Sequence, residues 1–148
     1  MKTIACPLNF KSIDGNVMRA NTFIYFLLAS AFFLTHNILF ILAIYIDIAW
    51  MFFHDFNTAP FYTFNKKLLK TLGISESRTD SGPKKFAWGM ALTMMSILII
   101  AHFNNCVMIS SVISMKIMVF TLAETMINFC MGCFIYKLLV QSTLIRAV

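Results

Sequence analysis

Four long apolar runs divide the chain. They extend from Val17 to Thr35, from Ile38 to Phe53, from Phe86 to Phe103 and from Val107 to about Val140. His36-Asn37 separates the first two, and Asn104-Asn105 the last two. None of the runs alternates with a period of two, so they predict helices and not strands. A helix of about 18 residues rises roughly 27 Å, close to a hydrocarbon core of about 30 Å. A helix also satisfies its own backbone hydrogen bonds, as lipid demands. The pattern predicts an all-α polytopic membrane protein: one membrane domain over 1–148, with four transmembrane helices in two helical hairpins. The two helix pairs with His and Asn in their outer turns also permit a duplicated unit.

Between the second and third runs lies a different pattern. Phe61, Phe64, Leu68 and Leu72 recur at three- and four-residue steps, with Lys66, Lys67 and Lys70 opposite. Pro60 is suited to open a helix here and Gly73 to close it. This spacing predicts a short amphipathic helix over 60–72, lying on the inner leaflet or capping the bundle. Ile74 to Ser81 then reads as a flexible linker, and Gly82-Pro83 as a turn.

Composition supports lipid as the solvent. Apolar residues make up 59% of the 148 residues and charged residues 12%, too few charges to cover a soluble domain of this size. The net charge of +6 raises the question of nucleic acid, but the basic residues sit in short segments between apolar runs. That placement fits membrane topology and anionic headgroups, and nucleic acid is excluded as a partner. Lys2, Lys11 and Arg19 lie before or at the start of the first run, and Lys137 and Arg146 lie near or beyond the inner end of the fourth. Lys66, Lys67, Lys70, Arg78, Lys84 and Lys85 lie between the second and third, and neither outer turn carries Lys or Arg. The positive-inside rule places the basic side, with both termini, in the cytoplasm of a bacterial inner membrane. Trp50 and Trp88 near the inner helix ends are expected at the interface. The first fifteen residues lack the apolar stretch of a secretion signal.

The sharpest chemical signal is Cys130-Met131-Gly132-Cys133. A C-x-x-C pair brings two sulfurs close enough to form a disulfide, share a metal or exchange sulfur. On this topology Cys6 reaches the same depth on the same side, whereas Cys106 sits at the outer turn. Three thiols fall short of the four ligands of structural zinc, and His54 is the remaining candidate, so no metal is assigned. Packing is the alternative role for these cysteines. Asp47, Lys116 and Glu124 are the intramembrane charges. Asp47 and Lys116 lie at similar depth when counted from the outer turns, so they are expected to pair. Helical phase on one continuous fourth helix turns Glu124 away from Cys130. His36 and His102 are read as solvated turn residues. The chain carries no glycine-rich phosphate loop, no paired glycosidase carboxylates and no Ser-His-Asp pattern.

Three blocks of residues resemble a bacterial membrane family catalogued as domain of unknown function 4395. They are Cys6-Pro7-Leu8-Asn9-Phe10 with Asp14, Asn16, Val17 and Arg19; Gly82-Pro83-Lys84-Lys85-Phe86-Ala87; and Glu124 with Phe129-Cys130-Met131-Gly132-Cys133 and Tyr136. The resemblance implies thiol or sulfur chemistry beside thioredoxin-like or rhodanese-like partners, with Cys6, Cys130 and Cys133 at the family's cysteine positions. The leading reading is therefore a thiol protein that handles disulfide equivalents or sulfane sulfur through a cytoplasm-facing three-cysteine site. No cofactor is predicted. A quinone is compatible, because the layout resembles four-helix quinone-linked disulfide enzymes, although those carry their thiols on the outer side. The alternatives are a homo-oligomeric transporter of a small sulfur anion, with Lys116 as attractor, and a structural subunit with packing cysteines.

Overall fold

The computed structural model describes residues 13–79, 81–127 and 131–146. Six α-helices occupy Gly15–Thr35 (α1), Ile38–Phe53 (α2), Pro60–Thr71 (α3), Ser81–Phe103 (α4), Val107–Ile127 (α5) and Met131–Arg146 (α6). A short 3₁₀ turn, Phe56–Thr58, leads into α3. Two-residue strands, β1 (Ile13–Asp14) and β2 (Arg78–Thr79), pair antiparallel. Three helices are long and apolar enough to cross a membrane: α1, α5 and the stretch Lys84–Phe103 of α4. The 16-residue α2 is apolar but shorter. Many large apolar side chains stay exposed along these helices, among them Leu27, Leu39, Ile46, Ile100 and Met126. Exposure of this kind is costly in water and ordinary in lipid.

The turns are built from the polar residues that break the hydropathy pattern. His36 ends α1 in the left-handed region at φ 53°, and its N–H bonds the Phe32 carbonyl at 2.7 Å. Asn37 then caps α2, its Oδ1 accepting from the Leu39 N–H at 3.1 Å. Asn105 takes φ 55° between α4 and α5. Asn and His are among the residues that tolerate this conformation best. The core forms where α1, α2 and α4 meet, around Ala29, Phe32, Ile41, Ile44, Met51 and Leu98. On its other side α1 packs against α5.

Several expectations change. The run from Val107 to Val140 holds two helices, because α6 packs on α4 as an element distinct from α5. Over residues 74–79 the expected linker is anchored and not free. Its strand β2 pairs with β1, Ser77 O accepts from the Gly15 N–H at 2.6 Å, and Ser75 O accepts from Asn16 Nδ2 at 2.9 Å. Asp14 caps α1 through the Asn16 N–H and also accepts from the Ser77 N–H. Helix α3 packs along α1 through Tyr62 and Asn65, which are buried, and leaves Phe64, Leu68 and Leu72 exposed. Its apolar stripe therefore faces outward as a lipid-facing edge would, while a second, more polar stripe docks on the bundle. Burial pushes the Tyr62 phenol above its usual range, so it stays neutral and accepts from the Asp14 N–H. Trp50 is partly exposed and donates to Thr58, whereas Trp88 is buried inside the bundle and is no interfacial anchor.

Candidate functional site

A buried polar cluster joins α1, α2 and α3. Asp47 is 1% exposed, and its carboxylate accepts hydrogen bonds from the Tyr25 hydroxyl and from the Phe61 N–H at 3.2 Å. Asn21 Nδ2 donates to the Tyr25 oxygen at 2.8 Å and approaches Asp47 Oδ2 at 3.5 Å. Asn65 Nδ2 on α3 closes the group by donating to Asn21 Oδ1 at 3.1 Å. Phe61 follows Pro60 in the first turn of α3, so the Asp47 carboxylate sits at the positive end of that helix. The expected partner of Asp47 is thus replaced: Lys116 is exposed on α5, and the carboxylate is satisfied by a phenol, an amide and a helix N-terminus. Counting residues from the turns matched the two depths but ignored that α3 folds back beside α1.

Beside this cluster is a cavity of about 130 Å³ between α1, α2, α4 and α5. Its walls are mainly apolar, with Met18, Met94, Met95 and Trp88 among them. Tyr25 reaches it from the polar cluster. Two charged residues line it, Lys84 from α4 and Glu124 from α5, and they attract each other electrostatically. Met131 and Gly132, the middle residues of the C-x-x-C motif, form another part of the wall. Glu124 and Gly132 line the same space; the expected orientation of Glu124 away from Cys130 falls on a residue outside the described ones.

Gly132 is needed where it stands. A Cβ placed there would lie 2.4 Å from Ala87 Cβ and 2.6 Å from Ala87 Cα. Beside it, Tyr136 meets the Phe86 ring at 5.8 Å. Cys133 is half-buried at the start of α6. Cys6 and Cys130 lie outside the described residues. Cys106 is exposed in the turn between α4 and α5. His54 stacks on Trp50 at 4.9 Å, while His36 and His102 both pack against Phe32. Among the described residues, no group of three His, Cys, Asp or Glu side chains is placed to hold a metal ion.

The family model described as "Domain of unknown function (DUF4395)" matches residues 13–141. The chain belongs to this family. No curated protein and no solved structure matches it. The DUF4395 match includes Cys130 and Cys133 and begins after Cys6. The structure gives physical roles to several of the residues through which the chain resembles DUF4395. Asp14 and Asn16 tie the start of α1 to the 74–79 segment. Arg19 donates through Nε and Nη2 to the Thr125 carbonyl, at 3.3 and 3.0 Å, in the last turn of α5. A guanidinium is favourable at that negative end of the helix. The second and third DUF4395 blocks meet at the Gly132–Ala87 and Tyr136–Phe86 contacts. Sequence reasoning missed Tyr25, Asn21, Asn65 and the burial of Lys84. A signal was present: Asn21 and Tyr25 lie four residues apart, on one face of an otherwise apolar helix.

Proposed function

We propose that this protein is a thiol protein of the bacterial inner membrane that exchanges disulfide equivalents or sulfane sulfur at the cytoplasmic face. In this reading α1, α2, α4 and α5 cross the bilayer, both termini are inside, and α3 and α6 pack at the inner side. Cys130 and Cys133 form the exchanging pair. The Cys6 thiolate attacks one sulfur of their disulfide, a new S–S bond forms, and the other sulfur leaves as a thiolate. A thioredoxin-like or rhodanese-like partner then takes the equivalents. The observation that carries this reading is the position of Gly132. It packs closely on Ala87 of α4 and lines a cavity that Lys84 and Glu124 also line. The sulfur-anion transporter is less well supported, because its attractor, Lys116, is exposed and does not line that cavity.

One labelling experiment tests both the side and the chemistry. In intact cells an impermeant maleimide should modify Cys106 alone. In inverted vesicles treated with mild oxidant, the pair should become reactive only after reduction. Labelling of Cys6 in intact cells would reverse the topology. Equal labelling of Cys130 and Cys133 before and after reduction would remove the thiol function.

A further inference from the structure

We propose that the cavity between α1, α2, α4 and α5 binds the ring of a membrane quinone. Binding itself stands apart from the thiol reading; only the use of the quinone as electron acceptor rests on it.

Volume, charge and wall chemistry each narrow the occupant. A dry cavity of about 150 Å³ is known to take benzene, so one of about 130 Å³ is on the scale of a single six-membered ring. Lys84 and Glu124 bring opposite charges to the same space, so the site as a whole has little attraction for an anion. A sulfur anion would also lose its hydration against mainly apolar walls. A neutral ring with carbonyl oxygens loses far less and gains a donor residue, because Lys84, only 7% exposed, lines the cavity. The Glu124 carboxylate is suited to accept from a hydroxyl of the reduced form. Trp88 and Phe120 offer flat faces, and the methionines adapt to ring substituents.

The reaction balances without another reagent. Cys130 and Cys133 give up two electrons and two protons as their S–S bond forms. The quinone takes both and becomes the quinol. Met131 and Gly132, which lie between the two cysteines in the sequence, line the cavity.

Titration with the tail-free probe 2,3-dimethoxy-5-methyl-1,4-benzoquinone tests the assignment, using the full chain in nanodiscs. Trp50→Phe leaves Trp88 as the reporter. Its emission should be quenched saturably. Lys84→Met should weaken binding at least tenfold, and Ala91→Leu should do so by filling the cavity. Lys84→Arg, which keeps a donor and a charge, should recover much of the affinity and controls for misfolding. Unsaturable quenching, or the same curve in Lys84→Met, Lys84→Arg and Ala91→Leu, would overturn the proposal. So would displacement of the probe by thiosulfate, which would assign the cavity to a sulfur anion. The double variant Cys130→Ser, Cys133→Ser should still bind the probe but form no quinol. Binding without cysteine-dependent quinol formation in the parent protein would sink the thiol reading and leave the quinone site standing. Redox-active thiols without saturable binding would do the reverse.

Discussion

Asp47→Ala is expected to destabilise the protein by roughly 3 kcal/mol and to release α3 from α1. The substitution deletes the acceptor of two donors, the buried Tyr25 hydroxyl and the Phe61 N–H. Each donor stranded away from water costs about 1–3 kcal/mol. Tyr25→Phe should cost less. It removes the phenol hydroxyl, but Asp47 keeps the Phe61 N–H and the more distant Asn21 amide. Thermal unfolding in detergent measures the stability, and limited proteolysis between Pro60 and Thr71 reports the docking of α3. Asp47→Ala should raise cleavage there well above that in Tyr25→Phe. Lys116→Met should leave both readouts unchanged, because Lys116 is exposed and takes no part in the cluster. A Lys116→Met effect as large as that of Asp47→Ala would restore the simple ion pair.

Gly132→Ala is expected to push α6 off α4. The added methyl would lie 2.4 Å from the Ala87 side chain and 2.6 Å from its backbone Cα, so no rotamer change relieves it. Forcing an extra methyl into close packing costs about 1–3 kcal/mol even where side chains can move, and here a backbone atom is in the way. Adding Ala87→Gly removes the nearer clash and leaves the 2.6 Å approach, so rescue should be partial. The unfolding midpoint and the solvent reactivity of Cys133 are the measurements. An unchanged midpoint in Gly132→Ala would mean that α4 and α6 do not cross at this glycine.

Much of the architecture was legible because membrane helices carry their signal locally. The runs at 17–35, 38–53 and 86–103 lie within two residues of α1 and α2, and within five of α4. The breaks at His36-Asn37 and Asn104-Asn105 coincide with the left-handed turn residues. What sequence could not supply was contact between distant segments. The stripe Phe64, Leu68, Leu72 reads as the buried face of α3 only if hydrophobicity points to protein. In lipid it can point outward, and the polar Asn65 finds its partner in Asn21, 44 residues away. Arg19 and Lys84 looked like topology charges. Their actual roles, at the Thr125 carbonyl and in the cavity wall, depend on where α5 ends. Hydropathy gives no sign that Met131–Arg146 packs on α4 as a helix of its own. The C-x-x-C spacing was legible as chemistry, but the close approach of Gly132 to α4 was not.

The central claim, that Cys130 and Cys133 act as an exchanging pair, is tested most directly by counting thiols. With Cys6 and Cys106 both changed to Ser, the pair accounts for every remaining cysteine. Alkylation of the unfolded protein followed by intact-mass measurement gives the count after equilibration in oxidising and in reducing buffer. The account predicts no alkylated thiols in the first and two in the second. Two alkylated thiols in both buffers would contradict it and leave the cysteines as packing residues.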